Sequence, residues 1–363
     1  MLFDTARSSV KAEAGEVDVN QEKKFVPRRR PGTKNFFDVP MDLKLKDFQS
    51  ESGRYFMSVL PSDVAVHFKR AILETGIESA DALKWLDYAL SYNGSGKQVS
   101  PIAQRVNANP YDPWAFKYIY REEDALSPMD YGYVITTGAY GIYLRLQSLV
   151  ERLPAIIYSE RERFGLGPKD KYIIYNLGSA YSLDTIYAVA QSPELKDLVR
   201  IVCVDPDKES LNYGKKLAER LGVSACFEFI PKKMEYAGLE QAHLILFIGM
   251  FCVVQSKKII LTMKFIKKHV KVDGIIIFST VQEKMLMGGP ILDFIMWSYG
   301  WRMYFKADGE PGKIARLAGY AHNRWMDFED KLGYNRMTVA RKPKFSIFGA
   351  IGDIYKLAKV LMM

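Results

Sequence analysis

The chain has 363 residues, of which 48% are hydrophobic, and a formal net charge of +9 at pH 7. This length and composition predict a folded protein of one large or two modest domains and exclude a wholly disordered chain. The positive charge leaves nucleic acid or an anionic membrane open as a partner, so the location of the basic residues matters.

Cysteine, histidine and hydropathy patterns argue against several classes of protein. Cys203, Cys226 and Cys252 have no paired spacing and stand in apolar runs, which is typical of reduced thiols in a core. The four histidines lack the short spacing of a helix-borne metal site, so we expect no metal. The sequence has neither a signal-peptide pattern nor a membrane-spanning apolar run, and we expect a cytoplasmic protein.

Residues 1–38 are polar and include the basic stretch KKFVPRRRPGTK at 23–34. Arginines 28 to 30 could contact RNA or anionic lipid, but a charge run with so few apolar residues is more often a solvated tail. We therefore expect a flexible basic arm and no nucleic-acid partner.

Residues 39–165 have mainly helical periodicity and predict a helical cap or substrate domain. The segment that begins MDYGYVITTGAYGIY is crowded with aromatic side chains. Tyr133 and Tyr140 are candidates for a substrate pocket, and the alternative is packing in the core.

From residue 166 to 342, strand-like and helix-like stretches alternate. KYIIYNL, RIVCVD, ACFEFI, HLILFIG and GIIIFST read as buried strands, with amphipathic helices between them. Continuously apolar strands in repeated β-α units predict a parallel, doubly wound sheet.

Two residues at strand ends predict a ligand site. Gly178 follows the first strand, where a glycine permits a tight turn and a close approach of ligand to backbone. Asp205 closes the second strand, where a carboxylate can accept hydrogen bonds from both ribose hydroxyls. Together they indicate an adenosine-containing ligand.

The missing glycines narrow the choice of ligand. A dinucleotide fold needs G-x-G-x-x-G, and the corresponding residues here are Gly178, Ala180 and Leu183. The sequence has no phosphate-binding loop for a nucleoside triphosphate either. A cofactor without phosphate fits better.

From about Lys171 to Lys342 the chain resembles the class I S-adenosylmethionine-dependent methyltransferases. NLGSAYS has the layout of that family's acid-x-G-x-G-x-G loop, but it keeps only Gly178 of the glycines and has Asn176 in place of the acid. The resemblance implies a mostly parallel, seven-stranded Rossmann-like methyltransferase sheet that closes with an antiparallel hairpin, preceded here by the helical domain.

The same resemblance implies where S-adenosylmethionine would bind. Asn176 and Gly178 would lie near its amino-acid part, and Asp205 would hold its ribose. The further candidates in these loops are Ser179, Ala180, Pro206, Lys232 and Gly249.

Methyl transfer is an in-line displacement and requires no particular catalytic side chain, because the enzyme mainly aligns the reactants and excludes water. Glu283 and His322 are candidates for a base, although a lone histidine is more often structural. Met250 and Phe251, directly after the fourth strand, are candidates for the pocket wall, with core packing as the alternative.

The acceptor is best predicted as a small or lipid-like molecule. The loop IGMF lacks the Asn/Asp-Pro-Pro-aromatic pattern of nucleobase methyltransferases, and the insertion 281–310 is rich in Met and aromatic residues that could roof an apolar pocket. The pattern of residues 343–363 predicts a basic amphipathic helix that could lie on a membrane surface or dock on its own domain.

Two other functions stay open. One is transfer of the aminocarboxypropyl group of the same cofactor, as nicotianamine synthases perform it. The other is a non-catalytic module that binds cofactor, RNA or membrane.

Overall fold

The computed structural model describes residues 113–120, 137–287 and 303–344, with a few isolated residues before position 123. Predictions for the basic arm, for Tyr133, for the middle of the insertion and for the C-terminal amphipathic helix lie outside these residues. The chain divides into two compact units, residues 1–140 with 285–302 and residues 141–284 with 303–363. This division differs from the predicted boundary at 165, because most of a long helix belongs to the second unit.

The described helices alternate with the first strands of the sheet. The helices are α1 Phe116–Ile119, α2 Thr137–Arg163, α3 Leu183–Gln191, α4 Lys208–Arg220, α5 Ser256–Ile266 and α6 Glu310–Leu317. The strands are β1 Tyr172–Leu177, β2 Val199–Val204, β3 Phe227–Ile230, β4 Ala242–Phe247, β5 Val270–Val281, β6 Ala321–His322, β7 Phe328–Glu329 and β8 Asn335–Arg341. Among the described residues, none of these helices is long and apolar enough to cross a membrane.

The strand order is β3-β2-β1-β4-β5-β8-β6, with β7 paired to β8. Strands β1 to β5 are parallel, and β8 runs antiparallel to β5. The prediction of a doubly wound, mostly parallel Rossmann-like sheet is confirmed. The described sheet has eight strands instead of the predicted seven, because two short strands, β6 and β7, both pair with β8.

The central strands are buried along their length. Every residue of β4 is buried, and so are the last four residues of β1 and of β2. Asn176 lies opposite Cys203 of β2 and Leu246 of β4, so the three strands end at the same edge. The chain order reverses between β1 and β4, and ligands of such sheets bind at that point of the carboxyl edge.

At the opposite, amino edge, the end of α2 is tied to the sheet. The Arg161 guanidinium donates to the carbonyls of Gly167 (2.8 Å), Asp170 (2.6 Å) and Leu198 (2.6 Å), which precede β1 and β2. The neighbouring Glu160 pairs with Arg341 of β8 at 2.6 Å. These bonds fix where α2 leaves the sheet.

A buried histidine lies at the same edge. The Nδ1 of His243 accepts the backbone N–H of Ile173 at 2.9 Å, and its ring stacks on Tyr172 with centroids 4.8 Å apart. Burial, with smaller contributions from the Lys271 and Arg161 charges, lowers the pKa of His243 to about 4. The imidazole is therefore held neutral in the folded protein.

This pKa predicts acid sensitivity. Between about pH 6.5 and the folded pKa of about 4, the unfolded state binds the extra proton, so the free energy of unfolding falls as the pH is lowered. In His243→Gln we expect a smaller loss over this range, by up to about 3 kcal/mol. Urea unfolding of both proteins at several pH values measures the difference, and parallel pH profiles would contradict it.

Candidate functional site

The loop after β1 is left-handed at alternate residues. Gly178, Ala180 and Ser182 have φ angles of 64°, 45° and 57°, all in the left-handed region. These are the three positions at which the resembled family has glycine. An L-residue in this region costs about 1–2 kcal/mol, so Ala180 and Ser182 hold a backbone conformation that favours glycine.

Backbone hydrogen bonds tie this loop to the end of β2. The N–H of Gly178 donates to the carbonyl of Val204 at 2.8 Å, and the N–H of Ala180 donates to Asp205 Oδ2 at 3.0 Å. The other carboxylate oxygen of Asp205 accepts the N–H of Asp207 at 2.8 Å. The two residues that predicted an adenosine ligand, Gly178 and Asp205, are thus joined in one cradle.

Met250 lies directly over Gly178. A Cβ at residue 178 would overlap the Sδ of Met250, so a larger residue fits only if the flexible Met250 side chain moves away. The contact joins the loops after β1 and β4 at the point where the chain order reverses. A predicted cofactor residue and a predicted wall residue therefore meet.

The remaining predicted cofactor residues occupy different environments. Asn176 is 1% exposed, and its amide donates to Asp184 (2.9 Å) and Thr185 (3.3 Å), so it holds the first turn of α3. Gly249, at φ 84°, donates its N–H to Ser279 Oγ at 2.8 Å. Ser179 is half-buried in the loop, whereas Pro206 and Lys232 are exposed.

The candidate bases and wall residues are less central. Glu283 is exposed after β5. His322 is enclosed against Gly312 and contacts the Asp327 carboxylate at 3.0 Å, which favours a structural role. Phe251 is stacked on Phe247 with centroids 4.9 Å apart, which is the packing alternative. Tyr140 is half-buried and belongs to the first unit, and its pocket role stays a prediction.

Three buried charged residues at this edge escaped the sequence prediction. Arg145 of α2 places NH1 3.8 Å from Cys252 Sγ and contacts Gly249. Burial raises the pKa of Asp184, against the effect of its hydrogen bonds and of the Arg145 charge. Lys306 lies near the end of the insertion 281–310 and is also buried. Only Asp184 could have been found from the local sequence, because an acid in the first turn of a helix is a recognisable pattern.

Within the described part of the chain, no three His, Cys, Asp or Glu side chains are grouped so that they could hold a metal ion.

No protein-family model matches the chain, and no curated protein matches it. Among solved structures, a possible exported protein from Bordetella parapertussis is similar at 12% identity and a TM-score of 0.52, over 82% of this chain and 98% of that one. Magnesium protoporphyrin IX methyltransferase from Synechocystis PCC 6803 with bound SAH is similar at 14% identity and a TM-score of 0.47, over 66% of this chain and 97% of that one. The first likeness supports a shared fold alone.

The contact between Gly178 and Met250 predicts the effect of an added methyl group. Gly178→Ala adds the cost of moving the flexible Met250 side chain to the cost of a left-handed alanine, so we expect a loss of about 2 kcal/mol in the free energy of unfolding. Gly165→Ala is the matched control, because Gly165 has φ 63° and no neighbour within 4 Å of its Cβ position. The control should lose about 1 kcal/mol.

Met250→Ala in the Gly178→Ala background separates the two costs. We expect it to recover the overlap cost and to leave the backbone cost, as urea unfolding of the double variant would show. Equal losses in Gly178→Ala and Gly165→Ala would contradict the contact.

Proposed function

We propose that the chain is an S-adenosylmethionine-dependent methyltransferase that acts on a small or lipid-like organic acceptor. The observation that carries this proposal is the hydrogen bond from the Ala180 N–H to the Asp205 carboxylate, within a loop that is left-handed at alternate residues. It places a glycine-loop backbone beside an acid at the end of the second strand, at the carboxyl edge of a doubly wound sheet.

The residues of the cradle fit the parts of this cofactor. A carboxylate can accept several hydrogen bonds, so Asp205 can hold two ribose hydroxyls in addition to backbone amides. Gly178 permits a close approach to the backbone for the amino-acid part. Ala180 and Leu183 carry side chains where a pyrophosphate loop needs glycine, which disfavours a dinucleotide.

The cofactor, when bound, supplies an electrophilic methyl group to a nucleophile on the acceptor. The residues of this chain would orient the two reactants and exclude water. Met250 suits the exclusion of water, because its thioether is only a weak hydrogen-bond acceptor and its flexible side chain adapts to neighbouring groups. The buried Phe251 supports the loop from below through Phe247 and Phe278, with ring centroids 4.9 Å and 5.7 Å away.

The acceptor class rests on the apolar insertion and the loop IGMF, and the insertion lies largely outside the described residues. Contact of the C-terminal helix with a membrane is a separate proposal. Turnover in the presence of anionic vesicles would test it.

Calorimetric titration with S-adenosylmethionine and S-adenosylhomocysteine tests the cofactor site. We expect wild type to bind both and Asp205→Ala to bind about 10–100-fold more weakly, because hydrogen bonds to a charged group are lost. Asp207→Ala is the matched control: it removes an acid two residues away that caps α4 through the N–H groups of Glu209 and Ser210. It should lose stability and keep its affinity for cofactor.

The products distinguish methyl transfer from aminocarboxypropyl transfer. Incubation with cofactor labelled on its methyl group or on its carboxyl group, with a panel of small acceptors, shows which label is transferred. Transfer of the methyl label supports the proposal, and transfer of the carboxyl label replaces it with aminocarboxypropyl transfer. Absence of cofactor binding by wild type would sink both and leave a non-catalytic module.

A further inference from the structure

Lys306 is a buried lysine at the carboxyl edge of the sheet. Its backbone N–H donates to the carbonyl of Val281, the last residue of β5, at 2.8 Å, and its carbonyl accepts the N–H of Glu283 at 3.2 Å. Tyr304, two residues earlier, donates its N–H to the carbonyl of Cys252 at 2.7 Å. These bonds dock the lysine's segment on the loop that follows Met250.

The ammonium group of Lys306 is short of partners. The residue is 3% exposed, yet within the described part of the chain Nζ makes no hydrogen bond and no ion pair. Its charge lies 5.6 Å from the centre of the Tyr304 ring. Burial lowers the pKa of Lys306, and the nearby Glu310 and Cys252 only partly offset this. A buried charge of this kind is costly unless an anion accompanies it.

Arg145 brings a second buried cation to the same loop. It is 4% exposed, its NH1 lies 3.8 Å from Cys252 Sγ, and its NH2 would be 3.1 Å from a Cβ on Gly249. The guanidinium presents a planar fork that matches the geometry of a carboxylate. Cys252 therefore contacts Arg145 through its thiol and the segment of Lys306 through its backbone carbonyl.

Glu310 lies near Lys306 and Asp184 lies near Arg145, and both acids accept hydrogen bonds from neutral donors. The Glu310 carboxylate accepts Ser256 Oγ at 2.6 Å and the N–H of Ala307 at 3.3 Å. Asp184 accepts the Asn176 amide and the N–H of Thr185, at 2.9 Å and 2.8 Å. Neither acid forms an ion pair with Lys306, in the residues that the structure describes.

We propose that Arg145 and Lys306, which lie in two segments that both contact Cys252, form a subsite for a carboxylate. The carboxylate has two chemical sources at this edge: the amino-acid part of the cofactor, which rests on the proposed function, or an acidic group on the acceptor. Both need the same pair of cations, and the two sources are separated by choice of probe.

The test uses the full chain and charge-removing variants of matched shape. Lys306→Met and Arg145→Met remove one cation each and keep an unbranched apolar side chain. Their controls are Lys313→Met and Arg152→Met, which remove exposed cations of α6 and α2. Thermal unfolding checks the fold, and we expect Lys306→Met to melt no lower than wild type because a desolvated charge is gone. A marked fall in its melting temperature would assign Lys306 a structural role and overturn its part in the subsite.

The first arm compares calorimetric titrations of S-adenosylhomocysteine and of 5′-methylthioadenosine, which lacks the aminocarboxypropyl group's carboxylate. If the cofactor is the source, a cation variant loses about tenfold or more in affinity for the former and nothing for the latter. Arg145→Lys, which keeps the charge without the fork, is a second variant should Arg145→Met unfold.

The second arm uses benzoate as a simple carboxylate probe, with and without saturating S-adenosylhomocysteine. If the acceptor is the source, benzoate binds wild type and both controls, and a cation variant loses about tenfold or more of that affinity. Unchanged binding of every probe by both cation variants would overturn the subsite. Failure of wild type to bind either nucleoside would overturn the proposed function alone, because the benzoate titration still tests the two cations.

Discussion

The three hydrogen bonds of Arg161 to backbone carbonyls fix the position of helix α2, and the carboxyl edge depends on that position. Arg145 precedes Arg161 by 16 residues, which is about 24 Å along an α-helix. The six residues of β1 span about 20 Å. A helix fixed at the amino edge is therefore long enough to carry Arg145 across the sheet to the opposite edge, where its guanidinium contacts Gly249.

The loop after β1 shows how the edge tolerates an unusual sequence. Two left-handed residues that are not glycine destabilise the loop, and the backbone bonds to Val204 and Asp205 offset that cost. Asp205 therefore stabilises the loop as well as offering a carboxylate to a ligand. Removing the Asp205 carboxylate is expected to lower both the stability of the loop and the affinity for a ligand. A control acid, Asp207 at the start of α4, is therefore needed to separate the loss of stability from the loss of affinity.

Local pattern predicted the sheet well, since buried parallel strands leave continuous apolar runs in the sequence. The pattern also predicted that Gly178 and Asp205 follow the ends of two strands, because strand ends and turn glycines can be recognised in the sequence. It did not predict that β6 and β7 are separate short strands, since two-residue strands have no periodicity of their own. Arg145 and Lys306 are 161 positions apart in the sequence, and only the packing of α2 and of the end of the insertion brings Arg145 and the segment of Lys306 into contact with Cys252.

Met250, the residue over Gly178, connects the loop after β1 with the loop that contacts Arg145. If position 250 were β-branched, its side chain would have few rotamers, and an approach of ligand to Gly178 would require the backbone to move. Methionine has three rotatable side-chain bonds, so its sulfur can leave the glycine while the loop stays in place. The loop has to stay in place, because Cys252 in the same loop contacts Arg145 and accepts a hydrogen bond from Tyr304. A flexible side chain on a fixed loop thus lets the edge admit a ligand at Gly178 without displacing the two cations beyond it.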